Sequence, residues 1–203
     1  MKIICVGRNY ADHIEELKNE RPTAPVIFIK PDTALLRPGE DFYLPDFSNE
    51  IHHELEVVVK INRVGKYIDE KFAHKYYDEV ALGVDFTARD LQTELKTKGL
   101  PWELAKGFNG SAPVSDFIPK NELGDLRHLD FSLSVNGEVR QKGNTSMMLY
   151  SIDYLIAFVS KYFTLKTGDL LFTGTPKGVA AVKAGDELVG KLGGSEFLRL
   201  KVK

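Results

Sequence analysis

The sequence predicts a mainly β chain of the α+β class, with two or three short helices set on a scaffold of strands. Three observations carry that prediction. Short runs of apolar, largely β-branched and aromatic residues recur from Ile3 to the C-terminus, bounded by Gly, Pro, Asn and Asp. Asn136-Gly137, between two such runs, is the strongest short hairpin signal a sequence can carry. One long stretch has helical period, with Ile152, Leu155, Ile156, Val159 and Phe163 at i, i+3, i+4, i+7 and i+11. The chain has 203 residues, enough for one domain with a full core and few for two, so 1–203 reads as a single domain.

Taken in order, residues 2–6 form a strand that runs into Gly7-Arg8-Asn9, and 10–18 reads as a short helix that Asn9 can cap. On it, His13 and Glu16 are i, i+3 neighbours, close enough for the carboxylate to orient the imidazole; a surface pair is the commoner meaning of that spacing. The polar, proline-bearing stretch that follows has no periodicity, so 10–25 reads as a mobile lid. Residues 26–30 are a buried strand, and 51–60 is another. On 51–60, alternation sends His52, Glu54 and Glu56 one way and Leu55, Val57 and Val59 the other, with the two glutamates roughly 7 Å apart at Cα. Glu54 and Glu56 alone fit the solvated face of an antiparallel sheet. Residues 70–77 read as a helix, and in the next strand Asp85 shares a face with Ala81, Gly83 and Thr87, whose small side chains leave room beside it. A helical turn at 88–92 puts Arg89 and Gln92 at i, i+3. Lys106 lies between Trp102 and Phe108. Residues 131–141 form the hairpin, Ser151 caps the periodic helix, and Lys166-Thr-Gly-Asp169 and Lys183-Ala-Gly-Asp186 are similar turns, each launching a strand. The loop 173–178 carries two glycines and the hydroxyls of Thr173 and Thr175, a frame whose N–H groups can approach an anion without being a P-loop. A last hairpin turns at Gly193-Gly194.

Composition narrows the function. The formal charge of −2 and the absence of Lys/Arg runs leave no field for nucleic acid, no apolar run approaches a membrane span or a signal segment, and the one cysteine, Cys5, excludes an internal disulfide or a Cys-rich zinc site. The expectation is a cytoplasmic protein handling a small polar metabolite. If Glu54, Glu56 and Asp85 converge on a cavity, their repulsion calls for a cation, and an all-oxygen set favours Mg²⁺ or Mn²⁺ over zinc.

Several segments together resemble the fumarylacetoacetate hydrolase superfamily, and specifically its small acylpyruvate hydrolase and oxaloacetate decarboxylase-like members. These are Cys-Val-Gly-Arg-Asn-Tyr-Ala-Asp-His at 5–13, His-His-Glu-Leu-Glu at 52–56, Gly-Val-Asp-Phe-Thr-Ala-Arg-Asp-Leu-Gln at 83–92, Lys106-Gly-Phe108 and Thr-Gly-Thr-Pro-Lys-Gly at 173–178. The resemblance implies a mixed β-sandwich roll with peripheral helices and a homodimer. It implies Glu54, Glu56 and Asp85 as ligands of Mg²⁺, with Mn²⁺ or Ca²⁺ as substitutes. His13 with Glu16 becomes the catalytic pair, assisted by Lys106 and Gln92, and Arg89, Gln92, Lys106 and Thr175 lie around substrate oxygens. Val6 stands where larger members carry a further ligand carboxylate. The implied activity is cleavage of a carbon–carbon bond in acylpyruvates, with His13 activating water. Oxaloacetate decarboxylation, oxaloacetate tautomerisation and isomerisation of a hydroxydienedioate are the alternatives the same site supports. His52 and His53 receive no role, and neither does the run 109–111.

Overall fold

The computed structural model describes residues 1–16 and 20–203. Its largest sheet has six strands in the order β2 (Val26–Lys30), β1 (Ile3–Gly7), β12 (Leu170–Phe172), β5 (Leu55–Ile61), β6 (Tyr77–Val84) and β9 (Ile118–Pro119). Only β1 and β12 run parallel, so the sheet is mixed. A four-stranded antiparallel sheet, β11 (Glu138–Asn144), β10 (Asp130–Val135), β14 (Glu187–Leu192) and β15 (Ser195–Lys201), packs on one face of it. Two small sheets complete the scaffold: β13 (Ala180–Ala181) with β4 (Ile51–His53) and β7 (Thr87–Ala88), and β3 (Leu35–Leu36) with β8 (Ala112–Pro113).

The central strands are apolar on both faces because both are covered. Ile4, Val6, Val57, Val59, Val80, Leu82 and Val84 enter the core shared with the four-stranded sheet. Ile3, Cys5, Val58, Ala81 and Phe172 enter a second core with Phe28 and Ala112 on the other side. Residues two apart share a face, so Glu54 and Glu56 continue the Val58 face, and Asp85 continues that of Ala81. Glu56 pairs with Gly83 in register. A Cβ on Gly83 would come within 2.6 Å of the Phe172 ring, so glycine is what lets the aromatic ring lie beneath the glutamate end of the sheet.

The expected hairpin is present, with Asn136 and Gly137 at φ 52° and 84° as a left-handed two-residue turn requires. The paired turns also recur: Asp169 and Asp186 each accept the backbone N–H three residues back, from Lys166 (2.7 Å) and Lys183 (2.9 Å). Other boundaries differ. Among the described residues there are five short α-helices rather than two or three: α1 (Ala11–Glu16), α2 (Glu70–Ala73), α3 (Arg89–Thr97), α4 (Glu103–Lys106) and α5 (Ile152–Ser160). The helix expected over 70–77 stops at Ala73, because Tyr77 is needed to open β6 opposite Ile61. Helix α5 is capped by Ser151 as expected but ends before Phe163. The strand expected over 51–60 breaks at Glu54, where β4 leaves its pairing with β7 and β5 takes up pairing with β6. Asn9 does not cap α1. Its buried amide instead donates to the carbonyls of Thr173 (2.7 Å) and Tyr150 (3.1 Å) and accepts from the Tyr150 N–H (2.9 Å), fastening the start of α1 to the far end of the chain. No helix of the described residues is long and apolar enough to cross a membrane.

Candidate active site

The break at Glu54 and the end of β6 bring the acidic residues together. Glu54, Glu56 and Asp85 are all buried, and one carboxylate oxygen from each lies within 4.8 Å of the others. The solvated-face alternative for Glu54 and Glu56 is thereby excluded. Three cations answer the three carboxylates. Lys106, carried in by the one-turn α4, donates to Glu54 Oε2 (2.9 Å), Asp85 Oδ2 (2.7 Å) and Thr87 Oγ1 (2.6 Å). Arg89, at the start of α3, donates to Glu54 Oε1 (2.5 Å) and to Gln92 Oε1 (2.5 Å). The third is Lys30, fully buried at the end of β2, with Nζ 2.8 Å from Asp85 Oδ1. It is fixed there by the carbonyls of Ser111 (2.8 Å) and Phe86 (3.2 Å) and by the Ser111 hydroxyl (3.0 Å).

These neighbours set the protonation of each group. Burial alone would raise the Glu54 carboxyl, but Lys106, Arg89 and His13 outweigh it and hold the group well below the usual carboxylate range. Burial lowers Lys106, and Asp85 and Glu54 outweigh that and raise it, so it remains an ammonium. Glu56 is different. Burial, then the charge of Asp85, pushes it well above the usual range, and only the Gly174 N–H, 2.7 Å from Oε2, opposes them directly on its own oxygens. Among the described residues no cation pairs with Glu56. A buried carboxylate without a cation, beside two more and in an all-oxygen donor set, fits a hard divalent ion.

Above the carboxylates stands α1. His13 is buried, with Nδ1 3.3 Å from Glu16 Oε2. A carboxylate only accepts, so Nδ1 carries the proton and Nε2 presents a lone pair. Burial lowers the His13 pKa, with Glu54 and Glu16 pulling the other way, so the ring is neutral near pH 7. Both Glu16 oxygens also accept the Gly178 N–H, at 3.0 and 3.2 Å, and Lys177 pairs with Asp12 at 3.1 Å. The glycines of loop 173–178 therefore hold two of the chain's own carboxylates, Glu56 and Glu16. Thr175 lines the cavity but its hydroxyl is engaged, donating to the Leu55 carbonyl and accepting from Gln141 Nε2, each at 2.8 Å. Gln92 is buried on the same wall. The space so enclosed is about 40 Å³.

All of the expected site residues, His13, Glu16, Glu54, Glu56, Asp85, Arg89, Gln92, Lys106 and Thr175, thus meet around one cavity, with Glu16 behind His13. The lid expected over 10–25 begins in a fixed part: Tyr10 is buried against Phe131, while residues 17–19 lie outside the described residues. His53 is structural. It shares the Gln141 amide oxygen (3.0 Å) with the Leu55 N–H (2.9 Å), and His52 faces Glu50 at 2.8 Å. Sequence reasoning missed Lys30, Ser111 and Gln141. A lysine closing an otherwise apolar strand, two residues from Phe28, was the one available signal for the first.

The chain matches the family model described as fumarylacetoacetate (FAA) hydrolase C-terminal over residues 2–203. It belongs to that family. Within it, the chain is 48% identical over 200 residues to the mitochondrial oxaloacetate tautomerase FAHD1 of Rattus norvegicus, covering 98% of this chain and 90% of the relative. It is 44% identical over 185 residues to the mitochondrial oxaloacetate decarboxylase of Dictyostelium discoideum, covering 91% and 85%. Among solved structures, fumarylpyruvate hydrolase from Pseudomonas aeruginosa in complex with Mn²⁺ and pyruvate superimposes with a TM-score of 0.95 at 35% identity, covering 100% of this chain and 89% of that one. The mainly β sandwich roll expected of a fumarylacetoacetate hydrolase family member is the fold observed.

Proposed function

We propose that this chain is a Mg²⁺-dependent enzyme acting on a small 2-oxo dicarboxylic acid, interconverting the keto and enol forms of oxaloacetate. The observation that carries this reading is the charge balance of the site. Glu54, Glu56 and Asp85 against Lys30, Arg89 and Lys106 sum to zero in a buried space. A divalent ion adds two positive charges, which a dianionic ligand neutralises and a neutral one does not. Relatives named for oxaloacetate support the choice of dianion.

Glu54, Glu56 and Asp85 would hold the ion, which when bound polarises a 2-oxo group and makes the adjacent carbon more acidic. His13, neutral and with Nε2 free, takes a proton from that carbon and returns it to carbon or oxygen. Glu16 keeps the imidazole in the required tautomer and stabilises the imidazolium between the two transfers. Gln92, Arg89 and Lys106 orient substrate oxygens on the opposite wall. The space of about 40 Å³ holds little beyond a few waters, so substrate entry requires α1 to swing away as a lid.

A second reading, hydrolysis of acylpyruvates, is favoured by the assembled His13–Glu16 pair, which is as suited to deprotonating water as carbon. The two are separated by following C3 proton exchange of oxaloacetate by NMR beside acetylpyruvate cleavage, each with Mg²⁺ and with EDTA. Tautomerisation should be metal-dependent and the faster of the two. Equal exchange with Mg²⁺ and EDTA, or faster acetylpyruvate cleavage, would refute the assignment.

A further inference from the structure

Strand β5 changes neighbours at the end where its glutamates stand. Val58, Val59 and Lys60 pair with β12, and just beyond it Thr173 donates its N–H and its hydroxyl to the Val57 carbonyl, at 3.1 and 2.7 Å. At Gly174 the chain turns away with φ 102°. Leu55, between Glu54 and Glu56, is met on this edge by side chains instead. Gln141 Oε1 accepts its N–H (2.9 Å), and the Thr175 hydroxyl donates to its carbonyl (2.8 Å). Gln141 Nε2 in turn donates to Thr175 Oγ1 (2.8 Å), which closes a ring of three hydrogen bonds around Leu55. The amide's other two positions are also filled: Oε1 accepts from His53 Nδ1 (3.0 Å), and Nε2 donates to the Pro176 carbonyl (2.9 Å). A carboxamide makes two such bonds at each end, so Gln141, fully buried, is saturated. It grips the residue on either side of Glu54, at the point where β4 gives way to β5.

Gln141 reaches this place from the other sheet. Directly paired strand residues point to the same side, and in the β10–β11 hairpin Leu133 pairs with Gln141 while Ser134 pairs with Val139, which leaves Arg140 as an extra residue. That bulge turns Gln141 inward beside buried Leu133 and leaves Val139 62% exposed; without it the two, being two apart, would share a face. The bulge also packs on loop 173–178, where a Cβ on Gly178 would collide with the Arg140 carbonyl. An apolar side chain of the same size would fill this space, so packing alone does not call for an amide. Its hydrogen bonds do, and they tie the backbone beside Glu54 to the loop that carries Gly174 and Gly178.

We propose that Gln141 is a positioning residue for the metal centre: it holds Glu54 and Glu56 in fixed relation across Leu55 and so sets the affinity for a divalent ion that it does not touch. The proposal rests on the reading of Glu54, Glu56 and Asp85 as the ligands. Side chains that steady ligands in this way are worth about 10–100-fold in metal affinity.

The test is a Mn²⁺ titration of the full chain, read from the electron paramagnetic resonance signal of the free ion and so independent of turnover. Gln141→Met, which keeps the length of the side chain and none of its hydrogen bonds, should bind Mn²⁺ about tenfold or more weakly. Thr175→Val should do the same, and the double variant should lose little more than either single one, because each already opens the ring. Leu155→Ala, a cavity in α5 where that helix packs on α2, should lower stability in urea and leave the affinity within about twofold of the parent's. An unchanged affinity in Gln141→Met, losses that add in the double variant, or an equal loss in Leu155→Ala would overturn the role of Gln141 and leave the ligands as assigned. Should Gln141→Met not fold, Thr175→Val decides, and an unchanged affinity there refutes the ring. A parent protein that takes up no Mn²⁺ would overturn the ligand assignment together with this role.

Discussion

Glu56→Gln should make the metal-free protein more stable while removing its response to metal. Glu56 is 2% exposed, has one hydrogen bond from Gly174 and no pairing cation among the described residues, and its oxygen lies within 4.8 Å of those of Glu54 and Asp85. At an effective dielectric of ~20, two unit charges at that separation repel by roughly 3 kcal/mol. Lys106, Lys30 and Arg89 offset part of this, leaving a net penalty of about 1–3 kcal/mol for the ionised group in the folded state. Glutamine keeps the shape and can accept the Gly174 N–H through its carbonyl oxygen, so the penalty goes and the packing stays. With EDTA present, Tm should rise by about 2–12 °C, at ~2–4 °C per kcal/mol for a chain of this size. With Mg²⁺ the order should reverse, because the unaltered protein gains binding free energy that the variant lacks. Differential scanning calorimetry in both buffers measures this directly. A variant less stable than the parent in EDTA would show that Glu56 is not strained, and one whose Tm climbs with Mg²⁺ as the parent's does would show that it is not a ligand.

Three other perturbations probe different parts of the site. Gln141→Leu leaves His53, the Leu55 N–H and the Pro176 carbonyl without their shared partner, and should cost about 2–4 kcal/mol in urea unfolding; a loss under about 0.5 kcal/mol would mean that water replaces the amide. Catalysis that uses His13 as a base needs the neutral ring, so the rate should fall as pH drops through its folded-state pKa. Since burial lowers that pKa, the acid limb should lie below the ordinary imidazole value near 6.5, and Glu16→Gln, which removes a raising contribution, should move it lower still; a limb above 6.5 would argue against His13. Gly174→Ala places a Cβ within 2.7 Å of the Asn9 Cβ at φ 102°, where only glycine is at ease, and displaces the N–H that holds Glu56. Metal affinity by calorimetry should fall about tenfold or more, and an unchanged affinity would show the loop to be dispensable.

The site was more legible than the elements that build it. Alternation places Glu54 with Glu56 and Asp85 with Gly83, and two-residue periodicity survives any error in strand ends, so the acidic cluster could be anticipated where the break at Glu54 could not. Strand and helix limits depend on tertiary pairing: Tyr77 leaves the helical pattern because Ile61 is opposite it, a fact absent from the local sequence. The cations show the same divide. Arg89 and Gln92 are helical neighbours and visible as such, whereas Lys30 meets Asp85 across 55 positions of chain, and Ser111, which steadies it, sits in a loop with no pattern of its own. Asn9 looked like a cap because its local sequence permits one, and it serves instead as a long-range tie.

That tie has a consequence for how the molecule is made. Asn9 and Glu16 reach across more than 160 positions to Thr173 and Gly178, and β1, which pairs with β2 on one edge, borders β12 on the other. During synthesis β1 can pair with β2 early, but its other edge and the ties of Asn9 and Glu16 must wait until residues 170–178 have been made, and contacts of such high sequence separation make folding slow. The acidic cluster between residues 54 and 85 can gather much earlier, but the Gly174 N–H that fixes Glu56 and the Gly178 N–H that fixes Glu16 come last. Catalytic competence is thereby postponed until loop 173–178 has been made, and a chain terminated before it would hold its carboxylates together without the N–H groups that fix Glu56 and Glu16.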